Sequence, residues 1–402
     1  MPTARAIIVL ACSVAVAGMA ALDAARAGLI DVNPALAATL PDSSGVEVEL
    51  LSARLGQPDG MPPRAEVFGT ARKQLRSEPL DAEALNLMAY VADPEGRSAE
   101  ARSYANLATQ VSKRIVFSQL AMTYDAVLKG DTTGAIGRFD AVLRARPDTS
   151  SLFYPRLKAA LREEELRVEI ARIAAAGSPW AMDFLVFATG PGEQARYVSD
   201  VARRAGARVP ATQRDVYFGP IVSRSFDAGD YAGARQVAGL IPGGSEALFD
   251  SPELTVRSLD SKFGAAAWSL PNTSTASASA VDEAGEPALS VYATGGAHAV
   301  VASKMLLLTP GRYFLRHAIS SGASPATGTA VRWRMTCVGG GEVFRSADVL
   351  SGRGAIRRLG VITVSAACPA QRLDLAADVT FGDPAIAFTV SKITLERAPP
   401  MR

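Results

Sequence analysis

The two histidines of the sequence limit the chemistry that it could perform. His298 lies in the segment GGAHAV, where we expect an exposed loop. His317 shares its alternation with the apolar positions Tyr313, Leu315 and Ile319, which predicts a buried, hydrogen-bonded imidazole. Zinc sites and catalytic arrays that need several imidazoles are therefore excluded. We predict no catalytic residue, no metal site and no cofactor, and hence a protein that is not an enzyme.

The acidic residues do not single out an acid–base mechanism. The glutamates at 163–165 fall in a predicted helix, and the spacing of Glu163 and Arg167 is that of an i,i+4 ion pair on a solvated face. A glycosidase needs two carboxylates that face one cleft, and nothing in the sequence selects such a pair. The segment SGRGAIRRLG (351–360) lacks the Lys-Ser/Thr of a phosphate-binding loop, which favours a connection between strands.

Candidates for ligand binding come from alternating segments near the C-terminus. Sugar binding generally uses exposed aromatic faces together with polar groups that fix orientation. Tyr292, Arg332 and Arg334 fall on the outward phase of their predicted strands and are the first candidates. Trp268 could stack on a sugar or belong to the core, whereas the phase of Trp333 predicts a core position.

The overall composition indicates a folded chain without a nucleic-acid partner. The 402 residues are 48% hydrophobic and 20% charged, and this length is typical of two or three domains. Lys and Arg number 42 against 40 Asp and Glu, which leaves a formal charge of +2. Nucleic-acid binding requires clustered, uncompensated cations, so the charge balance argues against it.

An unbroken apolar run, Ala6 to Leu22, follows Arg5 and points to export. The run is at the short end for a spanning helix and slightly long for a signal-peptide core. We predict a signal anchor or a signal peptide at 1–27, with residues 6–22 in the inner membrane and the rest on its periplasmic face. Cleavage after Ala25-Arg26-Ala27, giving a soluble periplasmic or secreted protein, is the main alternative, and lipidation at Cys12 a minor one.

Two cysteines, Cys337 and Cys368, remain in the exported part. An oxidising compartment favours a disulfide between them, and Cys337 shares the inward phase of Trp333. Two buried free thiols are the alternative.

The region 28–245 consists of successive amphipathic patterns with a regular spacing. Ala101 and Ala135 lie 34 residues apart, each early in the second helix of a predicted helical pair. Ala135 follows a Gly-Asp turn and precedes Phe139 by about one helical turn. Ala234, 99 residues further on, also follows a Gly-Asp turn. These residues resemble the tetratricopeptide repeat family, in which small residues allow two helices to pack closely. The resemblance implies an α-solenoid that binds a protein partner.

A strand-rich region at 262–398 follows a linker at 246–261 and precedes a short tail at 399–402. Many short alternating segments with regular turn signals predict an antiparallel β-sandwich. The apolar phase changes between Val390 and Ile393, which predicts a β-bulge near Ser391.

This region resembles carbohydrate-binding-like jelly-roll domains through FGAAAWSL, LLLTPGRYFL, the paired cysteines and FTVSKITLER. Bacterial envelope proteins that join an anchored tetratricopeptide-like region to such a sandwich are similar across nearly the whole chain. We therefore expect a multidomain α+β protein that acts as an envelope scaffold, binding a protein through its helices and a polysaccharide through its sandwich, in polysaccharide synthesis or export. A polysaccharide-acting enzyme and a structural spacer are the alternatives.

Overall fold

A computed structural model of the chain describes residues 44–54, 63–93, 99–321, 329–351 and 356–399. The apolar run at 6–22 and the cleavage site expected after it lie outside these ranges. Within them, no helix combines the length and the apolar content needed to cross a membrane. The chain divides into two compact units between Ser150 and Ser151.

The first unit is helical. Its described helices are α1 (Ser44–Arg54), α2 (Arg64–Ser77), α3 (Ala82–Ala92), α4 (Ala99–Val111), α5 (Val116–Leu128) and α6 (Thr132–Ala145). One apolar cluster joins the first three helices and includes Val48, Val67, Leu87 and Tyr90. Burial of this shared stripe holds short helices together that would be marginal in isolation.

The turn between α5 and α6 shows how the repeated spacing works. Gly130 has a φ of 71°, a conformation that glycine adopts without steric penalty. Asp131 then caps α6 by accepting a hydrogen bond from the backbone of Gly134 at 2.8 Å. Ala135 is buried, so a small side chain lies early in the second helix, as predicted.

The second unit begins with six helices: α7 (Ser150–Ala160), α8 (Glu164–Ala175), α9 (Pro179–Ala188), α10 (Glu193–Ala205), α11 (Ala211–Asp227) and α12 (Tyr231–Leu240). The turn before α12 repeats the turn before α6, because Gly229 has a φ of 82° and Asp230 caps the helix at Gly233. Ala234 is fully buried, and Ala101 in α4 is 5% exposed. The predicted helical region is therefore confirmed.

Two antiparallel sheets follow. Their strands are β1 (Trp268–Ser269), β2 (Ala276–Glu283), β3 (Glu286–Ala293), β4 (His298–Leu306), β5 (Gly311–Ser321), β6 (Ala330–Cys337), β7 (Glu342–Arg345), β8 (Arg357–Val364), β9 (Gln371–Asp378) and β10 (Ile386–Arg397). Sheet 1 has the order β1-β4-β9-β6-β7, and sheet 2 has the order β2-β3-β10-β5-β8. A single apolar core lies between them, so the sandwich is confirmed.

Two local predictions within the sandwich are also confirmed. The pairing of β10 with β5 shifts register between Ser391 and Thr394, where Lys392 has a φ of 52°. Cys337 and Cys368 form a disulfide whose Cα atoms are 5.4 Å apart. The bridge connects the end of β6 to the segment before β9, which are neighbouring strands of sheet 1.

Within the second unit, the last helices pack against the start of the sandwich region. A Cβ at Gly219 in α11 would collide with the carbonyl oxygen of Lys262, in the 3-10 segment Ser261–Ala266. The ring of Phe226 stacks on Phe249 with centroids 5.6 Å apart. The change from helix to strand therefore falls inside a compact unit, and not at its edge.

Candidate functional site

The outward side of sheet 1 carries charged side chains in rows that cross its strands. We call it the charged face and define it by His298, Ser303, Arg332, Arg334, Glu342, Arg345, Arg372, Asp374 and Asp378. The register places Ser303, Asp374, Arg334 and Arg345 in one row across β4, β9, β6 and β7. Alternate residues of the same strands point into the core, because Val331, Trp333, Met335, Leu373 and Leu375 are fully buried.

Most cations of the charged face have a carboxylate partner. Arg345 donates to both carboxylate oxygens of Glu342, with its Nη2 at 2.8 Å, and this hydrogen bonding lowers the pKa of Glu342. Arg372 donates to Asp374 at 3.0 Å, and the Nη1 of Arg332 lies 3.5 Å from Asp378.

Arg334 differs from these arginines. Its side chain makes no hydrogen bond or ion pair with any residue that the structure describes, and its Nε is buried without a partner. Asp374 lies opposite Arg334 on the neighbouring strand β9, and it already accepts hydrogen bonds from Ser303 at 2.8 Å and from Arg372. Arg345 lies opposite Arg334 on β7, so Arg334 has no hydrogen-bonded or ion-paired carboxylate; its charge acts only at longer range, on Glu342.

An exposed aromatic ring lies at the edge of this face. Phe381, in the turn between β9 and β10, is 90% exposed, and its ring lies beside the backbone of Gly296. Two residues beyond Gly296, the Nδ1 of His298 lies 3.3 Å from a carboxylate oxygen of Asp378. The exposed ring therefore lies at the end of sheet 1 where His298 of β4 is paired with Asp378 of β9. The sequence analysis missed Phe381; the available signal was a large aromatic side chain between turn residues, in TFGDP.

The predicted binding residues do not form one site. Tyr292 is 48% exposed on β3 of sheet 2, whereas Arg332 and Arg334 lie on β6 of sheet 1. These outward sides face away from each other, since the core separates the two sheets. Trp268 is 4% exposed and contacts Trp333 with ring centroids 6.2 Å apart, so its ring is part of the core and offers no face to a sugar.

His317 is buried, as its alternation predicts. Its Nδ1 accepts a hydrogen bond of 3.1 Å from the Nε1 of Trp333. Burial, assisted by the charge of Arg357, lowers the pKa of His317 to about 4. A neutral imidazole enclosed in this way has a structural part in the core.

The helical glutamates also have structural partners. Arg167 donates to Asp200 at 3.0 Å and Glu163 accepts from Arg162, so the predicted pair of Glu163 with Arg167 is wrong. The helix begins at Glu164, which leaves Glu163 at the N-cap. Among the described residues, no group of three His, Cys, Asp or Glu side chains could hold a metal ion.

The first unit contains a groove between α2, α3 and α4. Its volume is about 350 Å³, and it is lined by Phe68, Arg72, Leu75, Arg76, Met88, Glu100 and Tyr104. Phe68 is 39% exposed, and the guanidinium of Arg72 lies 5.8 Å from the centre of its ring. The lining combines apolar side chains with two arginines and one carboxylate, Glu100, and this excess of positive charge suits a peptide with apolar and acidic side chains.

No family model matches the chain. No curated protein matches its sequence either.

Proposed function

We propose that the chain is a non-enzymatic adaptor of the bacterial envelope, which binds a protein partner through its helical region and a glycan through its sandwich. Residues 6–22 would anchor it in the inner membrane, with the two units on the periplasmic side. The disulfide between Cys337 and Cys368 is consistent with an oxidising compartment.

The observation that carries this proposal is the groove between α2, α3 and α4. The exposed Phe68 and the half-buried apolar and aromatic side chains beside Arg72 and Arg76 match the usual anchors of a protein interface. The Gly-Asp turns and buried alanines support a tetratricopeptide-like arrangement, in which helical hairpins present such surfaces. The partner segment in this proposal is acidic and partly apolar, because the cations at the groove require complementary charge.

Charge reversal in the groove tests whether the helical region binds a protein partner. We expect Arg72→Glu combined with Arg76→Glu to abolish recovery of a partner that the unchanged chain captures by cross-linking in intact envelopes. Arg144→Glu is the matched control, since Arg144 lies in the same unit and outside the groove lining, with its side chain 50% exposed. Equal recovery with both variants, or no partner at all, would contradict the proposal.

The proposal that the sandwich binds a glycan rests on Phe381 and on the polar groups at the same end of sheet 1. A 90% exposed ring is a stacking surface for a sugar, and Asp378, His298 and Arg332 supply hydrogen-bonding groups near it. The strand order supports a jelly-roll arrangement, because β3-β10-β5-β8 and β4-β9-β6-β7 match the strand orders of the two four-stranded sheets of an eight-stranded jelly roll. The two extra strands, β1 and β2, extend one edge of each sheet.

A further inference from the structure

We propose that the glycan bound by the sandwich carries carboxylate groups, and that Arg334 on the charged face receives them. This inference rests on the proposed glycan-binding function and specifies its ligand class.

The first step is the charge balance of the face. Three of its four arginines have a carboxylate partner: Arg332 has Asp378, Arg345 has Glu342 and Arg372 has Asp374. Arg334 has no hydrogen-bonded or ion-paired carboxylate among the described residues, its charge reaches Glu342 only at longer range, and the residue opposite it on β7 is another arginine. Like charges directly opposite each other on neighbouring strands are unfavourable unless an anion lies between them. A ligand carboxylate beside Arg334 would supply that anion.

The second step concerns why no carboxylate of the chain pairs with Arg334. Asp374 lies opposite Arg334 on β9, but its side chain is only 2% exposed and is held by Ser303 and Arg372. Glu342 is likewise held by Arg345 through both of its oxygens. The neighbouring carboxylates thus accept their hydrogen bonds from other donors, so a carboxylate from outside would be the first hydrogen-bonded partner of the Arg334 guanidinium.

The third step is the shape of the site. Arg332 and Arg334 are two residues apart on β6 and point to the same side, which places their Cα atoms about 6.7 Å apart. Arg332 contacts Asp378, which in turn contacts His298 near Phe381. The polar groups from Arg334 to His298 therefore follow one side of the sheet toward the end where the Phe381 ring lies beside Gly296. A chain of acidic sugars suits this arrangement, with one ring on Phe381 and a carboxylate at Arg334.

Calorimetry with the full chain tests the inference using three probes: oligogalacturonate, its methyl ester and poly-L-glutamate. We expect the acid to bind more tightly than the ester, and poly-L-glutamate to bind weakly. Arg334→Gln should weaken binding of the acid by about 10-fold or more, the loss typical of a charge-assisted hydrogen bond, and leave the ester unchanged. Arg334→Lys should give an intermediate loss, since it keeps the charge without the guanidinium fork.

Arg358→Gln is the matched control. Arg358 lies on β8 of sheet 2 with its side chain 50% exposed, so its replacement should leave binding of every probe unchanged. Near-ultraviolet circular dichroism of each variant verifies that the sandwich core is intact.

The remaining outcomes separate the two proposals. Equal affinity for acid and ester, or no effect of Arg334→Gln, overturns the acidic-ligand inference and leaves glycan binding standing. Poly-L-glutamate binding that is as tight as the acid and depends on Arg334 assigns the face to an acidic polypeptide and overturns the glycan as ligand. Failure of both sugars and of a general glycan array to bind overturns the glycan-binding proposal together with this inference.

Discussion

At the scale of single residues, the most unusual group in the sandwich is Lys304 on β4. It is fully buried on the core side of sheet 1, between Trp268 on β1 and Leu373 on β9. Its Nζ donates to the carbonyl oxygen of Ala266, and no described carboxylate pairs with it. Burial alone lowers its pKa from 10.5 to about 7.

We expect Lys304→Met to stabilise the second unit near pH 7 and to remove part of its pH dependence. Between about pH 7 and pH 10.5 the unfolded amine is protonated while the folded amine is largely neutral. The unfolded state then binds more protons, so the free energy of unfolding rises with pH across this range. Methionine fills a similar volume without a charge, and we expect a gain of about 1–3 kcal/mol at pH 7, reduced by the unpaired Ala266 carbonyl.

Urea unfolding followed by tryptophan fluorescence, near pH 7 and near pH 10, measures this effect. Lys392→Met is the control, because Lys392 belongs to the same sandwich with its side chain 47% exposed. Parallel pH profiles for the original chain and Lys304→Met would show that the amine is not titrating in the folded core.

The alternation of apolar and polar residues along a strand predicts which side chains point inward. It fails for a polar side chain that lies in the core. The pattern in VRWRMTC correctly places Trp333 and Met335 inside and Arg332 and Arg334 outside. By the same rule a lysine is expected on the outward side of its strand. Lys304 instead points into the core, as do Ala302 and Leu306, two positions before and after it on β4. The partner that accommodates its amine, the carbonyl of Ala266, comes from the 3-10 segment Ser261–Ala266, and a local sequence pattern cannot show such a contact.

At the scale of elements, the bulge in β10 could be predicted because the apolar positions along this strand change from even to odd residue numbers. Val390 and Ile393 are both fully buried although their positions differ by three, an odd number, which requires one extra residue in the strand. The residue that absorbs the change is Lys392, with a φ of 52°. A side chain in this left-handed conformation carries a steric cost of about 1–2 kcal/mol, which glycine avoids.

Lys392→Gly should therefore stabilise the sandwich by about 0.5–1 kcal/mol, because the relief of strain is partly offset by greater freedom in the unfolded chain. The substitution also removes the exposed ion pair with Glu286, at 3.3 Å, which contributes little. Lys392→Ala removes the same ion pair and keeps the Cβ, so it should be neutral or slightly destabilising in urea unfolding. Equal effects of Gly and Ala would indicate that the bulge is not strained.

The helical elements were predictable where a local signal sets the turn. The Gly-Asp pairs before α6 and α12 combine a positive φ with an N-cap, and both turns form as expected. The stretch 155–209 has no such signal, although it contains most of α7 and all of α8–α10. There the helices are held by tertiary contacts, such as the hydrogen bond of 3.0 Å between Arg167 of α8 and Asp200 of α10.

At the scale of the whole molecule, composition and packing divide the chain at different places. Composition changes near residue 245, where helix formers give way to strand formers. The compact units divide at Ser150 and Ser151, so α7–α12 belong with the sandwich. The local composition determines which secondary structure forms. The boundary of a compact unit depends instead on which apolar surfaces pack against each other. Phe249 and Phe263 are buried although both lie beyond the change in composition.

Removing the last six helices should therefore destabilise the sandwich, whereas removing the first unit should not. Phe249 stacks on Phe226 of α11, and Phe263 lies beside Gly244, just after α12. A fragment of residues 246–402 exposes both rings, which costs about 3–6 kcal/mol at the usual value for burying such a side chain. A fragment of residues 151–402 keeps them covered. Thermal unfolding of the two oxidised fragments, followed by near-ultraviolet circular dichroism, should give a clearly lower midpoint for the shorter one.

The same packing can be tested in the full chain with a single methyl group. Gly219→Ala places a Cβ against the carbonyl oxygen of Lys262, so α11 and the 3-10 segment must move apart. Gly137→Ala adds the same methyl to α6, where no atom lies within 4 Å, and should stabilise that helix by about 0.5–1 kcal/mol. If Gly219→Ala leaves the unfolding of the sandwich unchanged, and both fragments melt together, the helices do not support the sheets and the chain divides near residue 245 after all.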